Sequence, residues 1–274
     1  MLVSISNHAL KGVDFLKVFH SLPDEITMNP DGARQFLKEY NWPNGLQQSM
    51  LNALSKLPIR FIILDDSGSM AVSDGAKLLG DGANKTQVSC TRWSEMLLNA
   101  KFYCGLADAA KSMTEFRLLN NGAPCVVGGQ GDDSRSGYHH MMQMLNNSSP
   151  SGATPLCRHI HEITAQIRTM EQQLRANGHK AVIVICTDGE ASDGDLAQAL
   201  APLKSLPVWV VVQLCTGEDN VVNYWNNIDQ QLELDMDILD DLVSEAKEVH
   251  AHNKWFTYGE PLHRMRGFGI AVKE

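Results

Sequence analysis

"IRFIILDDSGSM", residues 59–70, runs a largely apolar segment rich in β-branched residues straight into two aspartates and two serines. A run of strand length that is apolar at every other position could be half-buried. One that is apolar on both faces reads as a central strand of a parallel sheet, covered by helices on each side. "AVIVIC" (181–186) and "VWVVVQL" (208–214) repeat the pattern. Helical stripes lie between these runs. Trp93, Met96, Leu97, Ala100, Cys104 and Ala107 share one face over 92–110, and Leu156, Ile160, Ile163, Ile167, Met170 and Leu174 share another over 155–176. The second stripe closes at Asn177-Gly178, a C-cap pair. "TEFRLL" and "APCVVGG" flank Asn120-Asn121-Gly122, a hairpin turn that adds one antiparallel strand. The expected fold is α/β: a Rossmann-like, doubly wound, mostly parallel sheet with one antiparallel edge strand.

Residues 1–58 differ. "VDFLKVFHSL", "PDGARQFLKEY" and "GLQQSMLNALSKL" have helical spacing and no strand pattern, with Pro30 after Asn29 starting a helix and Pro58 ending the last one. They are expected to form a short N-terminal helical extension packed on a main domain at 59–274. Past Thr216, "DNVVNYWNNIDQQL" and "DILDDLVSEAKEVHAH" are expected as helices, and "ELDMDILDD" (233–241) as a solvated helix start, since Leu239 breaks its likeness to a calcium loop. Residues 73–90, rich in Gly, Asp, Asn and Ser, are expected as a loop. Trp42, Trp209, Trp225 and Trp255 are expected in the core.

Composition narrows the function. The 274 residues hold 23 Lys and Arg against 32 Asp and Glu, a net charge of −9. That balance disfavours non-specific binding to nucleic acid or to anionic membranes, both of which want clustered positive charge. No apolar run reaches the ~18–20 residues of a membrane span, and the first residues lack the pattern of a signal peptide. The six cysteines have no C-x-x-C spacing and read as buried thiols of a reducing, cytoplasmic setting.

In a parallel sheet the carboxyl ends of the strands converge on one edge, where ligands bind. Asp65, Ser67 and Ser69 leave the first strand there at alternating positions, which can face one point. "SSPSGATPL" (148–156) should bring Thr154 to the same edge at the start of the long helix, with Thr154 as N-cap and Pro155 at N1. "CTDGE" (186–190) should bring Asp188, with Glu190 a solvated turn carboxylate. Oxygens from three loops suit a hard divalent cation. Asp66 points out of the alternating set and is expected to be solvated or bonded to loop backbone.

The chain from about Ile59 to Thr216 resembles the von Willebrand factor A family: Asp-x-Ser-x-Ser after an apolar strand, a Thr in "SGATPL" and an Asp in "TDG" after a second strand match its metal-ion-dependent adhesion site. The resemblance implies Mg²⁺ or Mn²⁺ held by the hydroxyls of Ser67, Ser69 and Thr154, with Asp65 and Asp188 acting directly or through waters. It implies a protein-interaction module, an adaptor or a subunit of a larger assembly, that offers the ion to a carboxylate of a protein partner and is not an enzyme. Departures from the family's pattern fall in the loop after Met70 and before Ile59.

Two other functions use the same residues: a metal-assisted hydrolase of a phosphoester, with His159 near the helix start as a base on metal-bound water, and a scaffold whose metal is structural. A haloacid-dehalogenase-like phosphohydrolase needs Asp-x-Asp, and Ser67 stands at the second position, where it cannot serve as the acid/base near pH 7. "GGQGDDS" (128–134) is a connecting loop, because Asp132 and Asp133 would repel a phosphate. The pairs His139/His140, His159/His161 and His250/His252 do not share a helix face and make poor metal pairs.

Overall fold

The computed structural model describes residues 28–80, 86–129, 135–232 and 234–270. The helix expected at 13–22 and Asp132-Asp133 lie outside the described residues. In chain order the helices and strands are α1 (Pro30–Glu39), α2 (Asn44–Leu54), β1 (Ile59–Leu64), β2 (Gly75–Leu79), β3 (Thr86–Cys90), α3 (Arg92–Ala110), β4 (Met113–Leu118), β5 (Cys125–Val127), α4 (Ser136–Asn147), α5 (Leu156–Ala176), β6 (Ala181–Thr187), α6 (Leu196–Leu200), β7 (Val208–Leu214), α7 (Asp219–Leu232), β8 (Met236–Leu239), α8 (Leu242–His252) and α9 (Glu260–Gly267).

The main sheet has the order β5-β4-β1-β6-β7-β8. Every neighbouring pair is parallel except β4–β5. This is the doubly wound, mostly parallel fold read from the three apolar runs, with its single antiparallel strand at the edge. Pleating splits those runs between the two layers. Ile59, Phe61 and Ile63 of β1 pack with Ile183, Ile185, Val210 and Val212 against the α5 stripe and against Trp225 and Ile228 of α7. Ile62 and Leu64 pack with Val182, Val184 and Val211 against Met96, Ala100 and Cys104 of α3 and against α4. Ala33 and Leu37 of α1 and Met50, Leu51 and Leu54 of α2 belong to that second cluster. The six α5 stripe residues are all buried, contributing on the order of 10 kcal/mol at ~1.5–3 kcal/mol per large aliphatic side chain.

Arg60 sits on the second face with no carboxylate partner among the described residues. Its guanidinium donates to the carbonyls of Phe268 (3.0 Å) and Leu57 (3.2 Å) and to Ser112 Oγ (2.8 Å), and lies over the Phe268 ring. It thereby ties the C-terminal segment to the start of the sheet. Burial lowers it to about 9.

Three expectations are corrected. Residues 73–90 are mostly a β-hairpin: β2 pairs antiparallel with β3 in a separate two-stranded sheet. Its outer strand "TQVSC" is largely exposed, so it lacks the apolar signal that marks core strands. The stretch "ELDMDILDD" contains β8, a short edge strand parallel to β7, rather than a helix start; the helix begins later, with Asp241 as its N-cap. Trp255 is 89% exposed and outside the core, whereas Trp42 and Trp225 are buried and Trp209 partly so. None of the six cysteines is in a disulfide, and five of them are buried. Among the described residues no helix is long and apolar enough to cross a membrane.

Candidate metal centre

Register sets the site. Leu64 lies level with Cys186 of β6 and Leu118 of β4, so β1, β6 and β4 end together and their following residues share one edge. Asp65 N–H donates to the Cys186 carbonyl (2.9 Å) and Cys215 N–H to that of Thr187 (2.8 Å), which extends the ladder into the loops.

Asp65 is fully buried. Its Oδ1 accepts from Ser67 N–H (2.8 Å) and its Oδ2 from the Thr187 hydroxyl (2.6 Å). Each oxygen thus takes one bond that shapes a loop, Oδ1 within the first and Oδ2 across to the β6 loop, and each retains a lone pair. Burial raises its pKa above the usual carboxylate range, against the pull of its bonds to Ser67 and Thr187.

From Ser67 a continuous chain of oxygens crosses to the β6 loop. Ser67 Oγ and Ser69 Oγ are 3.0 Å apart, and the Ser69 hydroxyl donates to Asp188 Oδ1 at 2.8 Å. Neighbouring ligands of an octahedral Mg²⁺, with oxygens at ~2.0–2.1 Å, lie about 2.9 Å from one another. The spacing of this hydroxyl–hydroxyl–carboxylate set matches that edge, and its mixed neutral and anionic oxygens are donors a hard cation prefers.

The third loop is docked on the first. Gly68 N–H donates to the Gly152 carbonyl (3.2 Å) and Ser151 N–H to that of Asp66 (2.7 Å). Gly152 has φ +89° and faces Asn120, whose amide oxygen would lie 2.7 Å from an added Cβ; a glycine is required for so close an approach. Thr154 follows on this loop. Its N–H donates to Ser192 Oγ (3.0 Å) and its carbonyl accepts from Ser192 N–H (2.9 Å), so backbone pins it to the β6 loop and the hydroxyl makes neither bond.

Thr154 is not the helix cap that its sequence position suggests. Pro155 occupies the N-cap position of α5 without a side-chain bond. The first amides are instead satisfied from across the edge, where Asp193 accepts from Cys157 N–H (3.0 Å) and Arg158 N–H (2.9 Å). Partial burial pulls the Asp193 carboxyl up, but those amides hold it below its ordinary value. The Thr154 hydroxyl is thereby spared from capping.

Asp66 is buried, not solvated. Its Oδ1 accepts from Asn120 N–H (2.8 Å) and Asn120 Nδ2 (3.0 Å), and its Oδ2 from Asn121 Nδ2 (2.5 Å). It binds the turn after β4 to the edge. Glu190 is exposed. His159 is buried, with Nε2 3.2 Å from the Leu119 carbonyl, and burial lowers its pKa.

Arg92, the first residue of α3, has no counterpart in the sequence reading. It is 4% exposed, and its Nη1 donates to Asp188 Oδ2 at 3.0 Å. Nε donates to Asp74 Oδ1 (2.7 Å), while Nη2 reaches Asp74 and Glu218. These partners, foremost Asp74, raise its pKa further. Asp74 and Arg92 lie 18 residues apart, separated by the hairpin, and Glu218 lies 126 residues from Arg92; no local spacing announces such a cluster. Among the described residues no group of three His, Cys, Asp or Glu side chains is disposed to hold a metal ion, so the hydroxyls are essential to any metal reading.

No family model matches the chain, and no curated protein matches it in sequence. Solved structures are similar in chain path. BatB, a conserved hypothetical protein of Bacteroides thetaiotaomicron, shares 14% identity at a TM-score of 0.44, over 72% of this chain and 97% of that one. A von Willebrand factor type A protein of Catenulispora acidiphila shares 16% at 0.41, over 77% of this chain but only 43% of its own. An aerotolerance-related membrane protein of Bacteroides fragilis shares 18% at 0.40, over 71% and 96%. Likenesses this distant assign no residue and no activity.

Proposed function

We propose that the edge formed by Asp65, Ser67, Ser69, Thr154 and Asp188 binds Mg²⁺ or Mn²⁺, and that the bound ion captures a carboxylate on a protein partner. The chain then works as a metal-dependent interaction module of the von Willebrand factor A kind, without catalysis of its own. The observation that carries this is the Ser67–Ser69–Asp188 oxygen chain, whose 3.0 and 2.8 Å steps lie on either side of the ~2.9 Å ligand spacing of an octahedral hard cation. Ser67, Ser69 and Asp188 Oδ1 would hold the ion, Thr154 would complete the set from the docked loop, and Asp65 would orient Ser67. Two of the three close donors are neutral, so the ion keeps its appetite for another anion. When bound it would supply a directional, charge-assisted contact at a partly dry edge. The hydrolase alternative needs a base beside the ion, and the buried, backbone-bonded His159 does not favour it.

Thermal unfolding tests this. Mg²⁺ at a hundred times its Kd should stabilise the wild type by ~2.7 kcal/mol, with reversal by EDTA. The double variant Ser67→Ala/Ser69→Ala should fold but not respond. Equal responses in the two proteins would refute metal binding at this edge. Co-purification from extract with and without EDTA then reads the partner.

A further inference from the structure

We propose that Arg92 sets the charge of the metal edge: by holding one oxygen of Asp188 and placing a fixed positive charge beside the site, it keeps divalent-cation affinity moderate and leaves the ion electrophilic toward a partner's carboxylate. This rests on the metal reading above and adds a positioning residue to it.

Three observations lead there. First, the Asp188 carboxylate is split between two tasks, Oδ1 on Ser69 and Oδ2 on Arg92. The guanidinium therefore limits Asp188 to one oxygen in the site and keeps it from chelating with both. Second, the salt bridge is obligatory for Asp188 alone. The side chains of Asp74 and Glu218 are 43% and 57% exposed and have water as an alternative, whereas that of Asp188 is 0% exposed and Arg92 is its only ion-pair partner among the described residues. A buried carboxylate deprived of a partner is costly, so Asp188 demands a cation, and the protein supplies one whether or not a metal is present. Third, the arginine is locked. Its planar fork makes a two-point bond to Asp74 at the root of the hairpin, with Glu218 beyond β7 on the same nitrogen. Arg92 N–H also donates to the Val72 carbonyl at 3.0 Å. A guanidinium held this way keeps its charge at every physiological pH and cannot swing clear.

A positive charge held against a ligand of a dication opposes binding of that dication. The expectation is thus opposite in sign to that for an ordinary supporting residue, whose loss would weaken the site. Calorimetric titration of Mg²⁺ into the EDTA-stripped full chain at low salt reads it directly. Arg92→Gln removes the charge and keeps one donor; its Mg²⁺ Kd should fall by about tenfold or more, equivalent to ~1.4 kcal/mol or more. Arg92→Lys keeps the charge without the fork and should stay within about threefold of wild type. Glu218→Gln, at an exposed position, removes one anion near the site and should weaken Mg²⁺ by about threefold.

If wild type binds Mg²⁺ and Arg92→Gln binds equally or more weakly, Arg92 does not set the charge. If Arg92→Lys tightens as Arg92→Gln does, the tether rather than the charge is responsible, and the inference fails. Should Arg92→Gln not fold, unchanged or tighter binding by Glu218→Gln overturns it equally. A silent wild type with a binding Arg92→Gln would uphold the role of Arg92 and refute metal binding by the native edge. Silence in every protein would refute both.

Discussion

Replacing Asp66 probes how the candidate metal edge is built without touching a proposed ligand. The carboxylate is fully buried and accepts three hydrogen bonds, two on Oδ1 from Asn120 and one on Oδ2 from Asn121. Hydrogen bonds to a charged group are worth ~1.5–3 kcal/mol each, and orphaning a buried donor costs ~1–3 kcal/mol. Asp66→Ala removes all three. Asn120 Nδ2 retains its bond to the Ala153 carbonyl at 2.8 Å, and the half-buried Asn121 amide can turn to water, so the net loss should be about 3–4 kcal/mol. Asp66→Asn keeps an acceptor for Asn120 but sets an NH₂ against the Asn121 amide, and should cost about 1–2 kcal/mol. Urea unfolding followed by circular dichroism measures both, as a shift in midpoint at unchanged slope. Hydrogen exchange should show that the amides of Gly68 and Ser151, which close the 148–155 loop onto β1, lose protection in Asp66→Ala. A loss under ~1 kcal/mol, or an Asn variant as unstable as the Ala variant, would refute this account of the edge.

Two further outcomes follow from the same geometry. Glu95 of α3 accepts from Ala76 N–H (2.8 Å), and burial, with Asp241 and Asp74 nearby, raises its pKa from an ordinary 4.5 to about 7. Between those values the folded protein binds the extra proton, so stability falls as pH rises through the window. Glu95→Gln retains the acceptor and should match wild type near pH 4.5 and exceed it by about 2 kcal/mol at pH 8, the full shift at 1.36 kcal/mol per unit discounted for partial exposure; a gap that does not change with pH would refute it. Asp193→Ala strips the amides of α5 of their acceptor and should cost ~1–2 kcal/mol. Thr154→Ala should cost under ~0.5 kcal/mol in EDTA, and the reverse order in urea melts would show Thr154 to be the cap after all.

The sheet was legible because its central strands are buried on both faces. Composition alone identifies "IRFIIL", "AVIVIC" and "VWVVVQL", and the stripes of α3 and α5 follow from a period of 3.6. Elements outside that core were not. The β2–β3 hairpin is mostly solvated, so its sequence carries turn formers rather than an apolar alternation. In β8 only Met236 and Ile238 alternate with carboxylates, and Asp237 is neutralised by Arg266, a contact with a residue 29 positions away. Trp255 misleads because apolar character does not force burial. At the edge, the meeting of Ser69 and Asp188 follows from strand order, which the sequence pattern suggests. The recruitment of Arg92, Asp74 and Glu218 depends on how the hairpin and the β7 loop fold over it. The exchange of capping duty from Thr154 to Asp193 depends likewise on a loop-to-loop contact.

The central claim is that hydroxyls and a carboxylate from separate loops form one cation site, and a crystal of the full chain soaked in Mn²⁺ tests it most directly. The account predicts a single anomalous peak at the sheet edge, about 2.2 Å from Ser67 Oγ, Ser69 Oγ and an Asp188 oxygen, abolished in Ser67→Ala/Ser69→Ala. An edge with no peak, or a peak coordinated elsewhere in the chain, would contradict it.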